Sequence, residues 1–141
     1  MTQVDTPQTR CQVGVARGDI TPPVGIYHRL WGAALHERST GVHRPLTATA
    51  LWMEAGDAQL LFSLDQCLLD ASGIAAIREA VRREVPLQTD QIHLAVSHTH
   101  ASGWMSLTRA AFPGGELIEA YLRRVAHVCT DLARRAMAAA Q

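Results

Sequence analysis

Residues 46–65, LTATALWMEAGDAQLLFSLD, carry the clearest structural signal in the chain. An apolar run from Leu46 to Met53 leads to a Gly56-Asp57 turn, and a second apolar run follows from Leu60 to Leu64. Two apolar runs joined by a short turn that contains glycine are typical of a β-hairpin. The stretch therefore predicts two antiparallel strands.

A strand and a helix are predicted on either side of this hairpin. Residues 11–20, CQVGVARGDI, have the partly alternating pattern of a strand, which ends at TPPVG (21–25) because proline cannot continue a ladder. Residues 70–85 predict a helix, with Asp70 or Ser72 as its N-cap. The apolar residues that recur there at helical spacing are Ile74, Ile77, Val81 and Val85.

Two further elements complete the predicted fold. Residues 91–96, QIHLAV, form a nearly continuous apolar run, which predicts an inner strand covered on both faces. Residues 116–139 predict a long amphipathic helix. Its apolar stripe consists of Ile118, Tyr121, Leu122, Val125, Val128, Cys129 and Leu132. We therefore expect one α/β domain over residues 1–141, with a mixed sheet that contains a β-hairpin and is flanked by two amphipathic helices.

The composition is that of a globular protein, with 48% hydrophobic and 18% charged residues among 141. Thirteen basic residues balance 13 acidic ones, and many of the basic residues lie beside acids in the predicted helices, so no nucleic-acid surface is indicated. The N-terminal residues MTQVDTPQTR lack the apolar core of a signal peptide, and no run approaches the roughly 20 residues of a membrane span. These features predict a cytoplasmic protein without a membrane segment.

Three cysteines, Cys11, Cys67 and Cys129, lack the spacing of a zinc finger or a redox pair. Their odd number favours a reducing compartment. All three are predicted to be small hydrophobic core residues.

The segment from Ile26 to Pro45 has no regular pattern and is rich in Gly, His and Arg, with Trp31 as the only large anchor expected. Loops of this length are uncommon in compact domains unless they line a functional site. A surface excursion without a function is the alternative.

His98 and His100 follow the strand at residues 91–96, separated only by Thr99. If the extended geometry continues, both imidazoles point to one side at the carboxyl end of the strand, where open α/β sheets bind ligands. Imidazole is a common zinc ligand. However, zinc needs three or four protein ligands in most sites and this motif supplies at most two, so two polar loop histidines are the alternative.

Four segments together resemble the N-terminal domain of the neutral/alkaline non-lysosomal ceramidase family. They are VGVARGDITPPVGI (13–26), TGVHRPLTATALWME (40–54), LLFSLDQCLLD (60–70) and QIHLAVSHTHASG (91–103). The Asp-Ile-Thr-Pro-Pro and Ser-His-Thr-His elements are the most specific. Members of the family are zinc-dependent amidases, and the characterised enzymes cleave the N-acyl bond of ceramide.

The resemblance implies roles for individual residues. It implies that His98 is a zinc ligand and that His100 is a catalytic residue, which lies beside the metal and engages the substrate or the oxyanion. Asp19 and His43 match family positions near the site without an assigned role. Arg44 departs from the pattern, because the family usually has an acid there, and ASGWM (101–105) replaces a loop that favours Ser-Gly-Pro after the His-Thr-His element.

The resemblance also implies that the remaining zinc ligands, a second His, a Glu and a Tyr, and the nucleophilic serine lie downstream of the matched region. His127 and Tyr121 on the last predicted helix are poor substitutes. We therefore expect either a fragment of a longer enzyme or a shortened relative that has lost catalysis. An amide or lipid substrate is implied only for a site completed by a missing C-terminal segment or by another chain.

Two other functions stay open. The first is a non-catalytic domain that binds a small ligand or associates with itself as a homo-oligomer through exposed apolar surface. The second is a serine hydrolase that uses Ser97 or Ser102, although neither serine lies in a Gly-x-Ser-x-Gly sequence.

Overall fold

The computed structural model describes residues 10–141, so the expectation about a signal peptide, which concerns residues 1–10, falls on residues outside the described part of the chain except for Arg10. The described chain forms four strands and two α-helices: β1 (Gln12–Asp19), β2 (Thr47–Ala55), β3 (Asp57–Leu64), α1 (Ala71–Arg82), β4 (Ile92–Val96) and α2 (Ile118–Ala138). Short 3₁₀ turns occupy Thr89–Gln91, His100–Ser102, Leu107–Arg109 and Gly115–Leu117.

The strands form one mixed sheet in the order β1-β2-β3-β4. The first three strands are antiparallel neighbours, whereas β4 runs parallel to β3. The predicted hairpin is confirmed: β2 and β3 join at Gly56, whose φ of 96° is a conformation that glycine adopts readily. The parallel pair is connected through α1. The predicted α/β class, with a mixed sheet and two helices, is therefore confirmed.

Both helices lie on one face of the sheet, so the fold has two layers. Small and apolar side chains on this face are buried, among them Ala48, Ala50, Leu60, Phe62 and Leu64. Gly14 lets α2 approach β1 closely, since a Cβ at this position would lie 1.9 Å from the Ala136 carbonyl oxygen. The opposite face is open: Val13 and Val15 are 42% and 56% exposed.

The prediction that residues 92–96 form an inner strand is wrong, because β4 is an edge strand that pairs only with β3. Ile92 is buried and Leu94 is half-buried, whereas His93 and Ala95 are exposed on the open face of the sheet. The strand therefore alternates between the two faces. Ala95 hides this alternation in the sequence because alanine counts as apolar but tolerates exposure.

The first helix begins at the predicted cap, where Asp70 Oδ1 accepts a hydrogen bond from the Gly73 amide at 2.9 Å. Ile77 and Val81 are buried, as the helical spacing predicts. The same spacing predicts that Arg78 faces solvent, and this is wrong. Arg78 is half-buried, and its Nε donates a hydrogen bond to the Ile92 carbonyl oxygen at 2.9 Å.

Two expectations from composition are also tested. Cys67 and Cys129 are buried, but Cys11 is exposed, so its prediction as a core residue is wrong. Within residues 10–141, neither helix combines the length and apolarity needed to cross a bilayer.

The chain connections place three loops at one edge of the sheet. The carboxyl ends of β1, β3 and β4 meet there, together with the start of β2. The loops are residues 20–46, 65–70 and 97–117. This edge is the position at which open α/β sheets bind ligands.

Candidate metal centre and groove

The loop of residues 20–46 is held by a short internal ladder. Tyr27 and Arg38 form an antiparallel bridge, and the His28 amide donates to the Glu37 carbonyl oxygen at 2.7 Å. Buried Ile26 and Tyr27 anchor the loop, so the expectation that Trp31 is its only large anchor is wrong. Trp31 is 36% exposed and stacks on His100, with 5.1 Å between the ring centroids.

The two histidines after β4 lie together, but not for the reason predicted. The strand ends at Val96, so the extended geometry does not continue to His100. His98 has a φ of 57°, a left-handed conformation that costs a non-glycine residue on the order of 1 kcal/mol. The turn brings the rings of His98 and His100 to 5.3 Å between centroids, with 75° between their planes.

The imidazole of His98 is oriented by the end of the neighbouring strand. Its Nδ1 lies 2.9 Å from the Cys67 carbonyl oxygen and 3.8 Å from the Cys67 Sγ. Since a carbonyl oxygen can only accept, this hydrogen bond places the ring proton on Nδ1. The lone pair of Nε2 is then free to bind a metal, which is the usual arrangement of a metal-binding histidine.

Three potential metal ligands meet at this point: Cys67, His98 and His100 offer one donor atom each, all within 4.8 Å of one another. The thiol is buried and both histidines are exposed. Burial raises the pKa of the Cys67 thiol. A thiol and two imidazoles are donors that zinc accepts.

Sequence analysis misses Cys67, because the spacing of the cysteines along the chain carries no metal signal. The relevant signal is spatial. Cys67 follows β3 closely and His98 follows β4 closely, and these strands are parallel neighbours whose carboxyl ends meet. The pairing of β3 with β4 is not evident from the sequence, so the contact between the two residues was not predicted.

A second pair of histidines lies in the 20–46 loop. His28 Nδ1 is 2.8 Å from His36 Nε2, and His28 Nε2 is 3.0 Å from the Ala101 carbonyl oxygen. Since that carbonyl only accepts, His28 Nε2 carries a proton, and neutral His28 accepts from His36 at Nδ1. This chain of hydrogen bonds ties the 20–46 loop to the turn that follows His100, as the expectation of a site-lining loop requires.

A groove of about 560 Å³ opens beside His28 and His36 and beside the turn that carries His98 and His100. Its lining includes His36, His43, Arg44, Asp65, Thr99 and Ala101. Burial alone would raise the pKa of Asp65, but hydrogen bonds from the Thr47 amide and hydroxyl, both 2.9 Å long, outweigh it and hold the pKa below its ordinary value. The groove thus combines a cation, a carboxylate and imidazoles.

Asp19 lies outside this cluster of donors and has a structural environment. Its Oδ1 accepts from the Thr21 amide at 2.6 Å and lies 3.4 Å from Arg124 on α2. The Thr21 hydrogen bond, aided by the Arg124 charge, holds the pKa of Asp19 below its ordinary value. Asp19 therefore fixes the start of the 20–46 loop to α2.

The two candidates on α2 also lie away from the three donors. Tyr121 is buried and donates to the Ile20 carbonyl oxygen at 2.7 Å, and burial raises the pKa of its hydroxyl. Exposed His127 does not belong to the group of donors. Both positions agree with the expectation that these residues are poor substitutes for zinc ligands.

The serine hydrolase alternative finds no support in the environment of Ser102. Its buried hydroxyl accepts from the Cys67 amide at 2.7 Å and donates to the Gly103 carbonyl oxygen at 2.9 Å. Ser97 is exposed, and its backbone amide donates a hydrogen bond to the Leu64 carbonyl oxygen at 3.0 Å. Ser102 therefore links the ends of the site loops.

Comparison with known proteins identifies the fold. No protein-family model and no curated protein matches the chain. The neutral ceramidase from Pseudomonas aeruginosa superimposes on 96% of the chain, with a TM-score of 0.77 and 16% sequence identity. A ceramidase complexed with C2 covers 95% of the chain, with a TM-score of 0.77 and 15% identity. The chain spans 22% of the length of each of these proteins. It therefore has a ceramidase-like fold.

Proposed function

We propose that residues 1–141 form a single α/β domain equivalent to the N-terminal part of a neutral ceramidase, and that this domain supplies part of a zinc-dependent amidohydrolase site. The reaction is hydrolysis of an N-acyl amide bond such as that of ceramide. The observation that carries the proposal is the meeting of His98 and His100 beside a groove, at the carboxyl edge of a sheet with a ceramidase-like fold.

In this proposal His98 holds the zinc ion through Nε2, while its Nδ1 hydrogen bond to the Cys67 carbonyl fixes the ring. When bound, zinc supplies a Lewis acid that polarises the amide carbonyl and lowers the pKa of a bound water. His100 is the catalytic residue that donates a hydrogen bond to the substrate carbonyl or to its developing oxyanion. The Trp31 stack restricts the His100 ring and so holds this donor in place.

The domain alone is proposed to be catalytically incomplete. It spans 22% of the ceramidases that it resembles, and the resemblance assigns further ligands and the nucleophile to other parts of those enzymes. Another segment or another chain would complete the site. The amide or lipid substrate would occupy the groove, where Arg44 lies in place of the usual acid and would favour a polar or anionic group.

The proposal is tested by titrating the ¹⁵N-labelled chain first with zinc and then with a short-chain ceramide, followed by NMR. We expect zinc to shift the amides of residues 97–101 and the lipid to shift those of the groove at residues 39–46. His98→Ala should abolish both responses, and the matched change His127→Ala on exposed α2 should leave them intact. Shifts confined to other regions would overturn the proposal. Rapid ceramide hydrolysis by the isolated chain would overturn its claim of incompleteness.

The open face of the sheet favours a second candidate, a domain that associates with a copy of itself. The strand register places Val13, Val15, Leu51, Met53 and Leu61 on this face. These five side chains form an apolar patch beside polar Thr49 and His93 on the same face, and pairing of such a patch with its own copy gives a twofold interface. Analytical ultracentrifugation of the wild type and Val15→Asp tests this candidate: a concentration-dependent dimer that the substitution dissociates supports it, and a monomer at all concentrations rejects it.

A cytoplasmic location is part of the proposal. Its support is the free state of the three cysteines, Cys11, Cys67 and Cys129, which suits a reducing compartment.

A further inference from the structure

We infer that the groove lined by residues 39–46 selects amides that carry a carboxylate, such as N-acyl amino acids, over neutral amides, and that Arg44 is the residue that recognises the carboxylate. The inference rests on the proposed function and narrows its substrate class. It concerns the groove alone and adds no ligand to the metal.

The Arg44 side chain is available to a ligand. Arg44 is exposed and belongs to the lining of the groove. Within residues 10–141, six arginines form ion pairs with carboxylates, and Arg44 is not among them. A guanidinium stays charged and presents its N–H donors in a planar fork that matches a carboxylate. Arg44 therefore offers the groove a positive charge that no acid of the described chain neutralises.

The negative charge of the groove is already engaged. Asp65 is the only carboxylate among the described residues that line it. The Thr47 hydroxyl donates to Asp65 Oδ2 at 2.9 Å and accepts from the Arg17 guanidinium at 2.9 Å. This relay sets the charge of Arg17 against that of Asp65. The charge that remains for a ligand is that of Arg44, so the groove favours an anion.

An apolar wall lies beside this cation. Pro22, Val42 and Pro45 line the groove, and its volume of about 560 Å³ is within the range of small-ligand sites. Thr99 also lines it, next to His100, the proposed donor to the amide carbonyl. An apolar wall, a cation and this donor together fit a ligand with an acyl arm, an amide and a carboxylate.

The size of the preference follows from the exposure of Arg44. Hydrogen bonds between an arginine and a carboxylate are among the strong ones, and two parallel bonds can form at once. Solvent screens an exposed guanidinium, however, which weakens the pair. We therefore expect an anionic amide to bind about 3- to 10-fold more tightly than a neutral amide of the same shape.

N-hexanoylglycine and N-hexanoylglycinamide are a matched pair of probes, because they share one shape and differ in charge. Each is titrated into the ¹⁵N-labelled chain without added metal, and the amides of residues 39–46 report binding. We expect the glycine derivative to bind more tightly and Arg44→Gln to abolish the preference. Arg44→Lys should retain part of it, since an ammonium keeps the charge but loses the planar fork. Arg38→Gln is the matched control, an exposed arginine of the same loop outside the groove lining.

The outcomes separate this inference from the proposed function. Equal affinity of the two probes for the wild type, or a preference that survives Arg44→Gln, overturns the inference. The zinc response of residues 97–101 is measured in a separate titration, and its presence would leave the proposed function standing. Inorganic phosphate that shifts the groove amides as strongly as N-hexanoylglycine would identify a site for simple anions and would also reject the inference. Absence of binding by both probes would reject the groove as the substrate site and the inference with it.

Discussion

His98 adopts a backbone conformation that is unfavourable for a residue with a side chain, and the neighbouring strand holds it there. The Ser97 amide donates to the Leu64 carbonyl oxygen at 3.0 Å, and the His98 ring is fixed by the Cys67 carbonyl at 2.9 Å. Residues in such conformations persist where their surroundings over-determine them, and they concentrate at functional sites. At the residue scale, the positive φ of His98 and its fixed ring belong to one arrangement that exposes a donor nitrogen.

Arg78 and Arg82 lie on the same helix but should differ in their contribution to stability. Arg78 donates to the Ile92 carbonyl from a half-buried position, whereas Arg82 forms an exposed ion pair with Glu79. We expect Arg78→Ala to lower the free energy of unfolding by about 1 to 2 kcal/mol and Arg82→Ala to change it by less than about 0.5 kcal/mol. Urea denaturation of both variants checks this, and a larger loss for Arg82→Ala would contradict the assigned contacts.

Asp70 should make the stability of α1 depend on pH. The Gly73 amide hydrogen bond is the main cause that lowers the pKa of Asp70 from its ordinary 3.8, and burial opposes it. A lowered pKa means that the folded state favours the carboxylate. The stabilisation of the fold by the Asp70 carboxylate is therefore present above about pH 4, and it is lost as the pH falls through the pKa of Asp70 in the folded state.

The variant Asp70→Ala tests that dependence. We expect it to cost about 1 kcal/mol at pH 7, as for other N-caps, and we expect this difference from the wild type to shrink as the pH falls through the lowered pKa of Asp70. Thermal unfolding followed by circular dichroism across this range measures the difference. A gap between the two proteins that stays constant with pH would show that the charge of Asp70 has no part in it.

At the scale of elements, local pattern predicts most of the fold, and pairing across the sheet accounts for what it misses. The hairpin and both helices follow from turn residues and from apolar spacing, which depend on neighbours in sequence. The edge position of β4 and the contact between Cys67 and His98 depend on which strands pair. A short strand with alanine on its outer face cannot be told from an inner strand by composition, so the edge position of β4 was missed. The contact between Cys67 and His98 was missed because the sequence does not show that β3 pairs with β4.

Gly14 controls the packing of α2 on β1. A Cβ at this position would overlap the Ala136 carbonyl oxygen, which belongs to helix backbone and cannot rotate away. We expect Gly14→Ala to lower the free energy of unfolding by about 3 kcal/mol or more, at the upper end of overpacking effects. Gly32→Ala is the matched control, because nothing lies within 4 Å of its added Cβ. Equal stability of the two variants in urea would mean that α2 does not pack this closely.

At the scale of the whole molecule, a core between the sheet and the two helices supports a separate site at one edge. The core includes Phe62, Leu64, Val81, Val125 and Leu132, all buried. The three candidate ligands lie in the loops beyond the strand ends, so the core does not need a metal to form. His98 and His100 lie at the carboxyl edge of the sheet, as predicted, because the direction of β4 alone sets that position. Which side chains meet there depends on the conformation of the loops.

Removal of metal should therefore leave the fold intact. We expect the chain treated with a chelator to keep its far-ultraviolet circular dichroism spectrum and a single cooperative unfolding transition. Added zinc should raise the melting temperature only by mass action on the folded state. Loss of helical signal on chelation would instead identify a structural zinc site, such as those without which zinc fingers do not fold.

The central claim, that His98 holds the metal of a ceramidase-like site, is tested most directly by zinc calorimetry on three proteins: the wild type, His98→Ala and the exposed control His127→Ala. Our account predicts one zinc ion per wild-type chain, unchanged binding in His127→Ala, and loss of binding in His98→Ala while the protein stays folded. Zinc binding of undiminished affinity in folded His98→Ala would contradict the account.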